Sequence, residues 1–209
     1  MKKVVHINLG GKEFTINNDA YSVLENYLIT IENHFSKSQG FEGILYDIEV
    51  RMGELFEEDN KHGNIIDMSK LDRVMNTMGR PEDFTDDDDE PVRSRKRSSG
   101  IKTGKKLFRD NENKVIGGVA AGLSSYFGIN DPIFIRLFFV LLFLMGGSGF
   151  IAYLIMMIAI PKAETSSDYL AMKGEEINID NIAKTVQESI IDIKDKFDDF
   201  SKGFKTMIF

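Results

Sequence analysis

A nearly uncharged apolar stretch from Ile133 to Ile160 constrains the fold of this chain more than any other feature. It is about 28 residues long and carries one charged side chain, Arg136. Buried helices of soluble proteins usually have apolar runs of about 10–14 residues, whereas a membrane-spanning helix needs about 20. A helix that is apolar on every face also needs a large protein around it, and the rest of the 209 residues is strongly polar. The stretch therefore predicts a membrane protein that is mainly α-helical.

The sequence GGSG at residues 146–149 divides this stretch into two arms of about a dozen residues each. An unbroken helix of about 28 residues would be about 42 Å long, against a hydrocarbon core of about 30 Å. A tilted or kinked single span fits these lengths, so we expect one Gly-interrupted transmembrane helix. The alternative is a re-entrant hairpin whose glycine turn is covered by protein, because lipid cannot bond to free backbone groups.

Composition and charge exclude several classes of function. The net charge of -7 argues against a general nucleic-acid-binding protein, whose surface would be basic. The chain has no cysteine, so it has no disulfide framework and no cysteine nucleophile. The three histidines, His6, His34 and His62, are scattered, which is more typical of surface positions than of a metal site. No catalytic constellation is apparent, and we predict a protein that is not an enzyme and uses no cofactor and no small-molecule substrate.

Residues 1–80 have the pattern of a small α+β domain, a β-hairpin followed by three helices. The alternating VVHINL and the returning KEFTI, joined by Gly10 and Gly11, predict two strands with a two-residue turn. A first helix is capped near residues 17–19, a second runs from about 42 to 58, and a third ends at Gly79. The first helix has an apolar face formed by Ala20, Leu24, Leu28, Ile31 and Phe35.

Residues 81–109 form a charged linker whose sign changes along the chain. EDFTDDDDE is followed by RSRKRSSGIKTGKKLFR, and runs of this kind stay solvated. Because the basic run directly precedes the apolar stretch, we expect it to contact anionic lipid headgroups and to hold the N-terminus in the cytoplasm. The predicted membrane-flanking basic residues are Arg93, Arg95, Lys96, Arg97, Lys102, Lys105, Lys106, Arg109 and Arg136.

Residues 110–161 form the predicted membrane domain, and small residues in it predict close packing. Gly118 and Gly122 are four apart, as are Gly117 and Ala121, so on a helix they share a face that another backbone can approach. The predicted helix-packing residues are Gly117, Gly118, Ala121, Gly122, Gly146, Gly147 and Gly149.

Residues 162–209 contain a polar stretch and then a long amphipathic helix. Its apolar residues recur at steps of three and four, nearly a heptad pattern: Ile179, Ile182, Val186, Ile190, Ile193, Phe197, Phe200 and Phe204. A helix packed on its own protein would show the same stripe, but we favour a coiled-coil-like helix that binds a partner or a second copy. The flank after Pro161 has little positive charge, so with a single span this helix lies across the membrane from the N-terminus.

Several motifs occur in order within residues 105–161. They are the basic-aromatic KKLFR, then GGVAAGL, YFGI, DP followed by IR, the central glycines, and YL before Pro161. Together they resemble the PspC domain, named for phage shock protein C of bacterial envelope-stress systems. The residues before 81, with MGRPEDF at residues 78–84, are similar to an N-terminal extension of PspC proteins in Bacteroidetes.

The resemblance implies a bacterial inner-membrane protein that senses or transmits envelope stress through protein partners. In the best-known systems these partners are phage shock proteins A and B. A second class of function stays open, a membrane-disrupting or pore-type effector of phage defence that its soluble domain restrains.

Overall fold

The computed structural model describes residues 3–59, 65–80 and 105–208, with side chains described as far as Phe197. These residues are mainly helical and include a two-stranded sheet. They form two compact units. The first consists of the described residues of 1–100 together with 178–209, and the second of those of 101–177.

The first unit begins with the predicted β-hairpin. Strands β1 (Val4–Leu9) and β2 (Lys12–Asn17) are antiparallel, and their register pairs Leu9 with Lys12. Gly10 and Gly11 in the turn have φ values of 57° and 82°, a region that favours glycine. Gly10 also lies against helix backbone, since a Cβ added there would be 2.5 Å from the Cα of Val50.

Three helices pack against this hairpin, α1 (Asn18–Phe35), α2 (Phe41–Asp59) and α3 (Met68–Met78). Of the predicted apolar face of α1, Ala20, Leu24, Ile31 and Phe35 are buried. Leu28 is half-buried, and the neighbouring Tyr27 is buried instead. The Tyr27 hydroxyl donates a hydrogen bond of 2.6 Å to the carbonyl of Gly79, which connects the end of α3 to α1. Asn17 donates its backbone N–H to Ile66 at 2.9 Å and so links β2 to the residues before α3.

In the described part of the second unit, four helices follow one another along the chain. They are α4 (Val119–Phe127), α5 (Ile133–Leu144), α6 (Ser148–Ala159) and α7 (Ser166–Lys173). The segment before α4 pairs with the segment after α6. The Arg109 N–H donates to the Pro161 carbonyl at 2.8 Å, and the Ala163 N–H donates to the Arg109 carbonyl at 3.0 Å.

The predicted transmembrane span is wrong. Gly146 and Gly147 have φ values of 126° and 77°, which a right-handed helix does not allow, so the apolar stretch becomes two helices of 12 residues each. Within the described ranges, no helix combines the length and the apolarity needed to cross a membrane. The fold class is corrected accordingly: a mainly helical chain with a small two-stranded sheet, for which the assignment as a membrane protein is not supported.

The last helix, α8 (Ile179–Ile208), belongs to the first unit. It packs near the start of α2, where a Cβ added to Gly40 would contact the side chains of Val186 and Ile190. Ile179 and Ile182 are fully buried. The prediction that this helix lies on the far side of a membrane depended on the transmembrane span, which the described residues do not contain.

Candidate functional site

The most distinctive site in the described residues is the antiparallel hairpin of α5 and α6. Gly149 at the start of α6 faces the second half of α5. A Cβ added to Gly149 would be 2.6 Å from the carbonyl oxygen of Phe139 and 2.7 Å from the nitrogen of Phe143. Further along, the rings of Phe139 and Tyr153 meet edge to face, with centroids 5.0 Å apart. A glycine at residue 149 therefore permits the close approach of the two helices.

The hairpin exposes apolar side chains along both helices. None of the residues of α5 is buried, and in α6 only Gly149 is. Exposed side chains include Leu137, Leu141, Leu144, Ile151, Ile155 and Ile158. A continuous exposed apolar surface of this kind is typical of a site that contacts lipid or another protein.

The tip of the hairpin is apolar and its turn is internally hydrogen-bonded. Leu144 and Met145 are 72% and 81% exposed. The N–H of Gly147 donates to the carbonyl of Phe143 at 2.7 Å, and the Ser148 hydroxyl donates to the carbonyl of Leu142 at 3.4 Å.

The base of the hairpin, in contrast, is held by polar bonds to the loop before α4. There, Arg136 Nη2 donates to the carbonyl of Asn113 at 3.2 Å. Further up, at the middle of α6, the Tyr153 hydroxyl donates to the carbonyl of Ile116 at 2.5 Å. The Arg109 guanidinium donates to the carbonyl of Ile160 at 2.9 Å. The hairpin is therefore polar at one end and apolar at the other.

The glycines around α4 lie where backbones meet. An added Cβ at Gly122 would overlap the carbonyl oxygen of Phe108, and one at Gly118 would overlap that of Asp110. Gly117 and Gly118 have φ values of 61° and 80° and precede α4, so they do not lie on the helix face where the spacing placed them. Ala121 is buried in α4.

Gly146 and Gly147 form the hairpin turn, with open space where a Cβ would lie.

Of the predicted basic residues, Arg93, Arg95, Lys96, Arg97 and Lys102 lie outside the described residues. Lys105 Nζ donates to the carbonyl of Tyr126 at 3.2 Å, and its stem lies against Gly174. The backbone of Lys106 pairs with Ala171, and its side chain is exposed. These two lysines and Arg109 are therefore part of the second unit.

A groove of about 360 Å³ opens between α4, α5 and α6. Its described lining is apolar except for Arg136 and the hydroxyl of Tyr153, and it includes Ala121, Phe139, Val140 and Leu154. Apart from Gly149, none of the residues on the α6 side was predicted as a site residue, because the groove arises from packing between helices and no motif marks it. Elsewhere in the described ranges, no group of three or more acidic or histidine side chains is placed to hold a metal ion.

Tyr169 of α7 is a titratable residue that no sequence motif marks. Burial is the main cause that raises the pKa of Tyr169 to about 12, and the nearby carboxylates of Glu112 and Asp110 add to it. Asp110 is itself buried and accepts the N–H groups of Glu112 and Asn113 at 2.9 Å and 3.1 Å.

We expect the second unit to lose stability as the pH rises from about 10 to about 12. The folded phenol binds its proton more tightly than the unfolded one, so its contribution is complete below the unfolded pKa and disappears as the pH passes the folded pKa. Tyr169→Phe should remove that alkaline loss. Amide hydrogen exchange of residues 105–177 across this pH range measures it, and the same loss in Tyr169→Phe would contradict the assignment.

Residues 105–163 match the family model of the PspC domain, so the resemblance seen in the sequence is confirmed for this segment. No curated protein and no solved structure shows a significant match to the chain. A PspC domain indicates a phage-shock-type stress-response function, and the family is generally membrane-associated in bacteria and is not known as a family of enzymes. The similarity of residues 1–80 to the extension of Bacteroidetes proteins stays a prediction.

Proposed function

We propose that this chain is a regulator of the phage-shock type that contacts the bacterial inner membrane through the α5–α6 hairpin and acts through protein partners. The observation that carries the proposal is the polarity of that hairpin. Its tip is apolar and its base is held by the polar bonds of Arg136 and Arg109, within the segment that matches the PspC domain.

The length of the hairpin supports entry into one leaflet without a crossing. Each helix has 12 residues and is about 18 Å long, whereas the hydrocarbon core is about 30 Å thick. With the base among the headgroups, the tip lies near the middle of the bilayer. Both ends of the hairpin are then on one side of the membrane.

The hydrogen bonding of the hairpin suits a lipid environment. Backbone groups in hydrocarbon must find partners inside the protein, which helices provide along their length. At the turn, the N–H groups of Met145, Gly146 and Gly147 donate to carbonyls of α5. Carbonyls of the chain itself thus satisfy part of the backbone hydrogen bonding that a hairpin turn in hydrocarbon requires.

Basic residues next to the hairpin favour the cytoplasmic leaflet. Lys106 is exposed and lies three residues before Arg109, which pairs with Pro161 after α6, and the sequence places further Lys and Arg residues upstream of it. Cations near an anionic lipid surface contribute about 1 kcal/mol each, and cytoplasmic flanks are enriched in them. We therefore place the N-terminus in the cytoplasm.

The role of stress sensor follows from how a hairpin of this size enters lipid. It adds volume to one leaflet, so its binding depends on how tightly that leaflet is packed, as with other interfacial segments. A change in lipid packing would alter the bound fraction of the chain. The first unit would pass that change to protein partners.

The protein contact is assigned to α8, where the apolar stripe continues beyond its contact with α2. Ile193 and Phe197 are 67% and 69% exposed and are separated by charged residues. Apolar residues at this spacing pair readily with the same stripe of a second helix. We propose that a second copy of the chain is one such partner and that phage-shock-type stress proteins are others.

The double substitution Ile193→Asp with Phe197→Asp should raise the dissociation constant for self-association at least about tenfold, because burial of each side chain contributes about 1.5–3 kcal/mol. Sedimentation equilibrium of the full chain in density-matched detergent measures this constant. The matched control is Ile29→Asp with Tyr46→Asp, which are exposed apolar residues on α1 and α2. Equal self-association of both double variants would contradict the role of α8.

Vesicles that contain an entrapped dye test the proposed function against a pore-type effector. We expect the full chain to float with vesicles of phosphatidylglycerol and phosphatidylcholine and to leave the dye inside. Dye release on binding would instead favour membrane disruption and would overturn the proposed function.

A further inference from the structure

Arg136 is an unusually placed cation. It lies in the first turn of α5, half-buried, and lines the groove among apolar residues. Its described hydrogen bond goes to the neutral backbone carbonyl of Asn113, and no described carboxylate lies within ion-pair distance of it. A guanidinium has five N–H donors and suits phosphate or carboxylate oxygens, so Arg136 has donors beyond the one that bonds to Asn113.

The groove leads away from this cation toward the apolar tip. On α5 its lining continues from Arg136 through Val140 to Phe143, and on α6 it runs from Met157 to Gly149. On α4, small residues such as Ala120 and Ala121 leave the space between the helices open. The volume of about 360 Å³ is within the range of about 300–1,000 Å³ typical of ligand pockets.

We propose that this groove binds one acyl chain of an anionic phospholipid, with the lipid phosphate held by Arg136. The polar end of the groove is at the base of the hairpin and the apolar end points toward the tip. A bound lipid therefore has the same orientation as the lipids of the leaflet that the hairpin enters. The inference rests on the proposed membrane contact and adds to it a defined site for a single lipid.

Charge complementarity selects the headgroup. The phosphate of phosphatidylglycerol carries an uncompensated negative charge, whereas that of phosphatidylcholine is offset by its own quaternary ammonium group. A guanidinium forms charge-assisted, bidentate hydrogen bonds with phosphate oxygens, which are stronger than bonds between neutral groups. The site should therefore prefer phosphatidylglycerol.

Native mass spectrometry of the full chain in micelles of a neutral detergent tests this preference. With equal amounts of phosphatidylglycerol and phosphatidylcholine added, we expect one phosphatidylglycerol to bind preferentially per chain. Arg136→Gln should reduce that preference about tenfold. Lys114→Gln removes the same charge from an exposed residue outside the groove lining and should leave the preference unchanged. If both variants lose the preference for phosphatidylglycerol equally, or both retain it equally, the proposal is overturned.

A second pair of variants tests the acyl-chain part of the site. Leu154 lines the groove and Leu141, on the other helix, does not. Leu154→Trp should fill the groove and reduce retention of both lipids, while Leu141→Trp should retain them as the parent chain does. Equal retention by both tryptophan variants would overturn the groove as the binding site. Displacement of phosphatidylglycerol by an equal amount of oleate would overturn the assignment to a phospholipid.

The two proposals can fail separately. If the chain binds phosphatidylglycerol in micelles through Arg136 but does not float with vesicles, the membrane contact is overturned and the lipid site is supported. If the chain floats with vesicles but shows no Arg136-dependent preference in micelles, the lipid site is overturned and the membrane contact is supported.

Discussion

The double variant Leu141→Asp with Ile155→Asp is expected to lose vesicle binding by at least about 100-fold. Each aspartate would enter hydrocarbon at a cost of about 2.5–3.5 kcal/mol, and about 1.4 kcal/mol corresponds to a factor of ten. Both side chains are exposed, at 52% and 61%, and neither lines the groove. The substitutions should therefore leave the fold and the lipid site intact.

Flotation of the full chain with vesicles of phosphatidylglycerol and phosphatidylcholine measures this effect. Ile29→Asp with Tyr46→Asp serves as the control, because it adds the same charge to exposed apolar positions of the first unit. The control should float as the parent chain does. Undiminished flotation of the Leu141 and Ile155 variant would show that the hairpin does not contact lipid.

Gly122→Ala is expected to destabilise the second unit by about 1–3 kcal/mol or more, the range for overpacking a tight contact. An added Cβ would overlap the carbonyl oxygen of Phe108, so the segment before α4 would have to move. That segment carries the pairing of Arg109 with Pro161 and Ala163. The pairing should weaken with it.

Gly43→Ala provides a matched control for Gly122→Ala. Gly43 also lies in a helix, but its added Cβ would meet only the Val186 side chain, at an ordinary distance of 3.6 Å. Alanine there should stabilise the helix by up to about 1 kcal/mol. Hydrogen exchange at the amides of Arg109 and Ala163 reports on the second unit. Full protection of both amides in Gly122→Ala would contradict the close packing.

The β-hairpin and the helices α1 to α3 of the first unit could be predicted from sequence because their signals are local, whereas the packing of α8 in the same unit was not predicted. Alternation with Gly10 and Gly11 specifies the hairpin, and apolar spacing with caps specifies α1 to α3. The spacing does not show whether Tyr27 or Leu28 is the buried residue. Tertiary contacts decide this, here the hydrogen bond from the Tyr27 hydroxyl to Gly79.

The hairpin of the second unit was harder to predict because its two arms are apolar on every side. A uniform apolar pattern has no polar face to show where a helix turns back, so only length and the glycines were informative. The positive φ values of Gly146 and Gly147 settle the break, and sequence alone does not distinguish them from a kink. Gly117 and Gly118 show the same ambiguity, since a glycine pair suits both a helix face and the turn before a helix.

The groove could not be predicted because its parts come from distant points of the chain. Arg136 contacts Asn113, and Tyr153 contacts Ile116, across 23 and 37 residues. From sequence, Arg136 is only a charge at the edge of an apolar stretch. Apolar residues of α4 and α6 surround Arg136 only because the hairpin folds back onto the residues before it.

We propose that the hairpin enters one leaflet from the cytoplasm, with both of its ends on that side, and the labelling of single cysteines tests this most directly. The chain has no cysteine, so single cysteines can be placed without competing thiols. Asn130→Cys lies just before α5 and Glu164→Cys just after α6, both at exposed positions. A membrane-impermeant maleimide applied to intact spheroplasts, and then to lysed ones, reports the side of each. If both ends of the hairpin are cytoplasmic, both cysteines are protected in intact spheroplasts and labelled after lysis. Labelling of one but not the other in intact spheroplasts would mean that the chain crosses the membrane between them, and would contradict the entry of the hairpin into one leaflet.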